Sequence, residues 1–205
     1  MVIEGHHRYT EEQLASPGTV IAQGYWQNER YFADMADSVR QWFTFDCHIV
    51  DRNSTDVRAV QHDNSVAVHV RRGDYMLEPW RSAHGVLGDG YYRKAASYIL
   101  ERCPSARFYV FSDDSNLNPR EVGLTRNVEV VSTKDNKEDV DDLYMMSQCK
   151  HFIVANSTFS WWGAWLGSYD HKMVVAPDQW YLAGPEAYSS IVPQSWMRAP
   201  SCWDL

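Results

Sequence analysis

The sequence predicts an α/β fold built on a Rossmann-like parallel sheet. Three observations carry that prediction. Short β-rich runs alternate with stretches of helical periodicity between residues 66 and 177, the pattern of a parallel sheet covered by helices on both faces. The apolar run VAVHV is too apolar to face solvent on both sides. Three of the strand runs end in polar clusters, Arg71-Arg72-Gly73-Asp74, Ser112-Asp113-Asp114 and Asn156-Ser157-Thr158, which a parallel sheet would gather on one rim, where such sheets bind ligands.

Taken in order, residues 1–28 read as irregular, punctuated by Gly5, Pro17, Gly18 and Gly24. From Glu29 to Phe45, Tyr31, Phe32, Met35, Val39, Trp42 and Phe43 repeat at helical spacing. The polar stretch 51–65 reads as a linker. VAVHV (66–70) is a strand, Tyr91 to Cys103 a helix closed by Pro104, and RFYVFS (107–112) and VEVVS (128–132) are strands. Val140, Leu143, Tyr144 and Met146 give 137–149 helical spacing. HFIVAN (151–156) is a strand, STFSWWGAWLG (157–167) a helix opened by a Ser/Thr cap, and KMVVAP (172–177) a strand stopped by proline.

Composition narrows the function. The 205 residues carry a formal net charge of −8, with 44% apolar and 22% charged residues. A general nucleic-acid binder is more often basic, so no nucleic-acid partner is expected and the Arg71–Arg72 pair is a local feature. Cys47, Cys103, Cys149 and Cys202 form no C-x-x-C pair, which argues against structural zinc and for buried or half-buried thiols in a reducing compartment. No apolar run is long enough to span a bilayer, and the first residues lack a secretory pattern.

Each polar cluster has a functional and a structural reading. Arg71 and Arg72 offer planar donor forks suited to a diphosphate; as a structural pair they would bind Asp74 or Asp113. Gly73 would let the backbone approach a ligand closely. The embedded R-G-D tripeptide is discounted as an adhesion signal, which needs a flexible loop tip. His69 could meet a base edge or a phosphate, or be a satisfied core histidine. Asn156, Ser157 and Thr158 open a helix whose N–H groups suit an anion, or simply cap it. Asp139 and Asp141 fit a helix first turn better than a metal site. Trp161, Trp162 and Trp165 sit at core spacing.

Together VHVRRGDY (68–75), HGVLGDGYY (84–92), FYVFSDD (108–114) and DLYMMSQCKHFIVANSTFSWWGAWLG (142–167) resemble glycosyltransferase family 11, the α-1,2-fucosyltransferases. GYWQNERYF (24–32) followed by FTF (43–45) is similar to the segment preceding that family's arginine motif. The resemblance implies the donor-binding lobe of a two-lobed GT-B-like enzyme. It implies residues 61–205 as the GDP-sugar-binding domain, and 1–60 as linker and remnant of an acceptor-side lobe. It implies inverting, metal-independent transfer of L-fucose from GDP-fucose, with no other cofactor, to the 2-hydroxyl of a galactose-terminated glycan. Arg71 and Arg72 are then catalytic, and His69, Arg71, Arg72, Asp142, Asn156, Ser157, Thr158 and Ser160 bind GDP-fucose, with His69 and Asp142 on the guanine. The family's GGLGNQ-type segment has no counterpart, so the chain is expected to be N-terminally truncated, and a non-catalytic GDP-sugar-binding module is the alternative. A cytoplasmic location is expected, with peripheral association at the inner membrane face left open.

Overall fold

A computed structural model describes residues 2–3, 9, 19, 21–23, 26–131, 138–182 and 190–204. Six parallel strands form the main sheet: β3 (Ser65–Val70), β4 (Arg107–Ser112), β5 (Val128–Val130), β6 (His151–Ile153), β7 (Val174–Pro177) and β8 (Met197–Ala199). Their order is β5-β4-β3-β6-β7-β8, every neighbouring pair being parallel. The chain winds outward from β3 to one edge, returns to β6 beside β3, and winds to the other edge. That is the doubly wound Rossmann order, as the sequence predicted, with its switch point between β3 and β6. β8 went unseen in the sequence because only three residues of MRA are paired and its middle arginine is exposed. A separate two-stranded parallel pair joins β1 (Val2–Ile3) to β2 (Ala22–Gln23).

Period-two alternation sorts β3 between two cores. Val66, Val68 and Val70 pack with helix α5 (Asp89–Arg102) on one face, while Ala67 packs with helices α6 (Asp139–Ser147) and α7 (Thr158–Leu166) on the other. Helix α5 buries Tyr91, Ala95 and Ile99 along one stripe. Its tyrosines also tie the sheet's upper end. Tyr91 donates to the carbonyls of Val154 (2.6 Å) and Val175 (3.2 Å), and Tyr92 to that of His69 (3.2 Å). Trp161 and Trp165 are buried as expected, and Phe32 and Phe43 stack on Trp162.

Two sequence expectations are corrected. The 29–45 helix is two 3-10 turns, Glu29–Tyr31 and Ala33–Met35, followed by α1 (Ala36–Trp42). The 51–65 linker is helical instead: α2 (Cys47–Arg52) and α3 (Ser54–His62) occupy most of it. Its polar composition hid a narrow seam, Val57 and Val60, three residues apart and both in the sheet's core.

The end of α2 also carries a buried charge contact. Arg52 donates to both oxygens of Asp141 at 2.6 Å, Asn53 adds 2.5 Å, and the Glu138 N–H adds 2.8 Å. Asp141 lies in the first turn of α6, as the sequence reading has it, and is also fully buried. It is an anchor, and with Glu138 it forms a capping box on α6. Burial pushes its pKa up, but the Arg52, Glu138 and Asn53 donors outweigh burial and hold it below the ordinary value. A carboxylate with a depressed folded pKa stabilises the fold above the unfolded pKa and loses that effect as pH falls through the folded one. Asp141→Asn is therefore expected to destabilise the protein by about 2 kcal/mol at neutral pH. In urea titrations the difference from wild type should shrink below about pH 4.

Candidate functional site

The switch point gathers the polar clusters that follow β3, β4 and β6. Among them, the turn after β3 is the most constrained. Alternation along β3 sends neighbouring side chains to opposite faces, and the two arginines just past its end part in the same way, although Arg72 has already left extended geometry at φ −128° and ψ −78°. Arg71 follows His69 and lines a cavity with it; Arg72 follows Val70 and lines a different cavity with Leu87, Gly88, Glu121 and Trp203. The pair therefore does not form one fork.

Carboxylates hold both guanidiniums. Arg71 Nη2 donates to Asp74 Oδ1 at 2.6 Å, and Nη1 lies 3.0 Å from Asp113 Oδ2. Arg72 Nη1 donates to Glu121 Oε2 at 2.9 Å and lies 3.7 Å from Asp114. Asp113 Oδ1 also accepts the Arg72 backbone N–H at 2.9 Å. Gly73 has a positive φ, and a Cβ there would collide with the Asp113 carboxylate. Its missing side chain thus makes room for Asp113, correcting the expectation that it makes room for a ligand. The R-G-D tripeptide is likewise no loose tip, since Arg72 is pinned on both sides.

The cavity on the Arg71 face measures about 110 Å³ and is lined by His69, Arg71, Phe111, Asp113, Asp142 and Phe159, among others. Residues far apart in sequence meet there. His69 is 4% exposed, and its Nδ1 has no hydrogen-bond partner. Burial, and then the Arg71 charge, lower its pKa to about 3, so the imidazole is neutral, with one nitrogen donating and the other accepting. Its ring lies 5.5 Å from that of Phe159. Asp142 reaches the cavity from the first turn of α6. A flat heterocycle with donors on one edge would find two phenylalanine rings, the carboxylates of Asp113, Asp139 and Asp142, the Arg71 guanidinium and an imidazole. The volume is small beside the 300–1,000 Å³ of ordinary ligand pockets, so it fits one ring system, the rest of a ligand lying on the open rim.

Helix α7 supplies the third wall. Ser157 is its N-cap, but no side chain caps it, which corrects the Ser/Thr-cap expectation and leaves first-turn N–H groups for another acceptor. Thr158 is exposed and donates to Gln27 Oε1 at 3.3 Å. Ser160 is turned inward onto the carbonyls of Ala155 and Ser157. Asn156 is buried, its Nδ2 donating to the carbonyls of His84 (3.0 Å) and Gly85 (3.4 Å). Of the residues singled out in the sequence, His69, Arg71 and Asp142 share the cavity, Ser157 and Thr158 stand at the helix end, and Asn156 and Ser160 brace the backbone. Sequence reasoning missed Phe159 and Glu121. It could have separated the arginines by counting alternate residues from Val66.

The cysteines are free: Cys149 is buried, with burial pushing its thiol up to about 12, Cys103 and Cys202 are half-buried, and Cys47 is exposed, against expectation. No helix among the described residues is long and apolar enough to cross a membrane.

A family model described as glycosyl transferase family 11 matches residues 8–198. An α-1,2-colitosyltransferase of Escherichia coli is 36% identical over 186 residues, covering 88% of this chain and 63% of that protein. The O-antigen biosynthesis glycosyltransferase WbnK of Escherichia coli is 38% identical, covering 67% and 45%. The galactoside 2-alpha-L-fucosyltransferase SEC1 of Bos taurus is 28% identical, covering 77% and 45%. The chain thus matches only part, 45–63%, of the length of these relatives. Among solved structures, fucosyltransferase NodZ from Bradyrhizobium aligns with a TM-score of 0.38 at 15% identity, over 57% of this chain and 41% of that one.

The buried neutral histidine makes a pH prediction. An unfolded histidine binds a proton below about pH 6.5, while His69 does not until about pH 3. Stability therefore falls as pH drops through that window and is unaffected above it. His69→Gln should lose about 2 kcal/mol of the decline between pH 7 and 5, read from denaturant midpoints at the two values. An equal decline in both proteins would show that His69 is not buried neutral.

Proposed function

The chain belongs to glycosyl transferase family 11, and we propose that it binds GDP-fucose and transfers L-fucose to the 2-hydroxyl of a galactose-terminated glycan. The observation that carries this reading is the meeting of His69, Arg71 and Asp142 in one cavity at the switch point of a doubly wound sheet. Residues 61–205 are the donor-binding unit in this proposal, and the reaction is cytoplasmic.

The chemistry follows from the donor groups. Guanine offers N–H donors on one edge, which the Asp142 carboxylate accepts, while His69 Nδ1 meets the ring's remaining polar atoms and Phe159 covers its face. The diphosphate then lies along the rim, between Arg71 and the uncapped first turn of α7. As the sugar leaves, negative charge grows on the phosphate and positive charge on the anomeric carbon. A fixed guanidinium and helix N–H groups stabilise the former without reorganising. The acceptor 2-hydroxyl oxygen attacks from the face opposite the diphosphate, its bond to the anomeric carbon forming as the carbon–oxygen bond to the phosphate breaks and its proton passing to water, which inverts the anomeric centre. Arg71 must exchange Asp74 for phosphate oxygen as the donor binds, so Asp74 holds the guanidinium in place until then. Arg72, on the other face, supports the turn and adds its charge at longer range.

Binding and transfer are separate claims, because the matched stretch is only part of the relatives' length. A GDP-sugar-binding module without transfer is the second reading. Calorimetry with GDP tests binding; labelled-fucose transfer to a galactoside on the same preparation tests catalysis. GDP is expected to bind and UDP not. The relative at 36% identity is named for colitosyl transfer, so a colitosyl donor belongs in the same assay, with fucose expected to be preferred.

Two further outcomes are expected. Arg71→Lys keeps the charge but loses the planar fork, and should weaken GDP by about 1.5–3 kcal/mol, roughly ten- to a hundredfold; Arg72→Lys should weaken it less. Equal losses would place both guanidiniums on the phosphates. Transfer should proceed unchanged in EDTA, because Arg71 and α7 supply the positive field that a metal ion provides elsewhere. Loss of activity in EDTA with recovery in manganese would contradict this.

A further inference from the structure

Beyond Arg71 the chain makes a 3-10 turn (Gly73–Met76) and a short helix, α4 (Trp80–His84). This segment carries a run of rings at the rim. Tyr75 and His84 are stacked, with centroids 4.5 Å apart and planes at 20°. Trp80 lies 5.7 Å from His84 on one side and Tyr181 4.9 Å on another. Half of Trp80 is open to solvent at 50% exposure, beside Leu77 at 64% and Met76 at 40%. Such a cluster of open apolar side chains calls for an occupant.

Three features say which. The platform is continuous with the donor rim: the Arg71 guanidinium sits 5.2 Å over the Tyr75 ring, and the Tyr75 hydroxyl donates to the Asn156 carbonyl at 3.3 Å. It is braced, since Asn156 holds the His84 carbonyl and the Leu182 N–H donates to the same oxygen at 3.2 Å. It is also edged by carboxylates. Asp74 is half-exposed, and Glu78 is fixed by the Ser82 hydroxyl at 2.7 Å. Aromatic faces bordered by acceptors suit a sugar, which offers a flat face of C–H groups and a rim of hydroxyl donors. An apolar protein surface would find the carboxylates costly to bury.

We propose that the open face of Trp80, backed by the stacked Tyr75–His84 pair, is the acceptor subsite and holds a galactoside by its apolar face, with Asp74 and Glu78 at its hydroxyls. The proposal rests on the reading of the Arg71 cavity as the donor site, which puts the acceptor next to the leaving diphosphate. His84 contributes as a neutral ring, lowered below its ordinary pKa by burial against the partial opposition of Asp74.

Trp80 decides the matter, because it is exposed enough to remove without disturbing the fold. Titrate methyl β-galactoside into wild type, Trp80→Ala and Trp42→Ala, with and without GDP, by saturation-transfer NMR, and measure GDP affinity in each by calorimetry. Trp42 is 68% exposed on α1 and serves as the control. Saturable galactoside binding that weakens about tenfold or more in Trp80→Ala, survives in Trp42→Ala and leaves GDP affinity unchanged is the expected result. Binding that survives Trp80→Ala, or no saturable binding to GDP-loaded wild type, overturns the subsite. If GDP itself fails to bind, the donor reading falls, and the nucleotide-free galactoside titration still decides whether this face takes a sugar.

Discussion

The Asp113 carboxylate fixes the carboxyl end of β3, and the candidate site depends on it. One of its oxygens accepts the Arg72 N–H and the other pairs with Arg71. Its bulk fills the space that the glycine at position 73 leaves open. A turn with two adjacent arginines would otherwise repel itself and swing free. Clamped this way, it sends Arg71 to one face and Arg72 to the other, and starts the segment that carries Tyr75 and Trp80. The four carboxylates that orient the two guanidiniums outnumber them, so the turn carries no net positive charge until one of them gives way. A bound diphosphate then replaces a carboxylate that was already in place, so the site is pre-organised at little entropic cost.

A second anchor aims the opposite wall. Asp141 and Asp142 are neighbours on α6 with different tasks. Arg52 and Asn53 draw Asp141 inward and lock the first turn of the helix. With that turn fixed, Asp142 faces the cavity that His69 and Arg71 line. The helices α2 and α3, polar in sequence, therefore matter to the site without touching it: they set the rotation of α6. Moving that anchor should be felt at the nucleotide as well as in stability.

Much of the fold was legible because its strands are short, apolar and separated by amphipathic helices; each pattern is local. The rim clusters were legible for the same reason, since a strand's end is visible in sequence. Asp74 and Asp113, named in the sequence as structural partners of the arginine pair, are the carboxylates that hold Arg71; what stayed hidden was the partner of a charge with no neighbour in the sequence to suggest it. Arg52 and Asp141 are 89 residues apart, and no local pattern joins them. The α3 helix was hidden because two valines at i and i+3 are too few to outweigh its polar residues. The opposed directions of Arg71 and Arg72 follow the alternation of the strand before them, yet their adjacency in the sequence suggested that both forks meet one diphosphate. Asn156 was singled out from its place before a helix start and Ser160 from the family resemblance alone; in the structure both side chains donate to backbone carbonyls.

A crystal structure of the chain with GDP tests the central claim most directly. The account predicts guanine in the cavity between His69 and Asp142, its face on Phe159. Arg71 should have left Asp74 for a phosphate oxygen, with Asp113 still holding the Arg72 N–H. Guanine bound elsewhere, or Arg71 still paired with Asp74 beneath an ordered diphosphate, would contradict it.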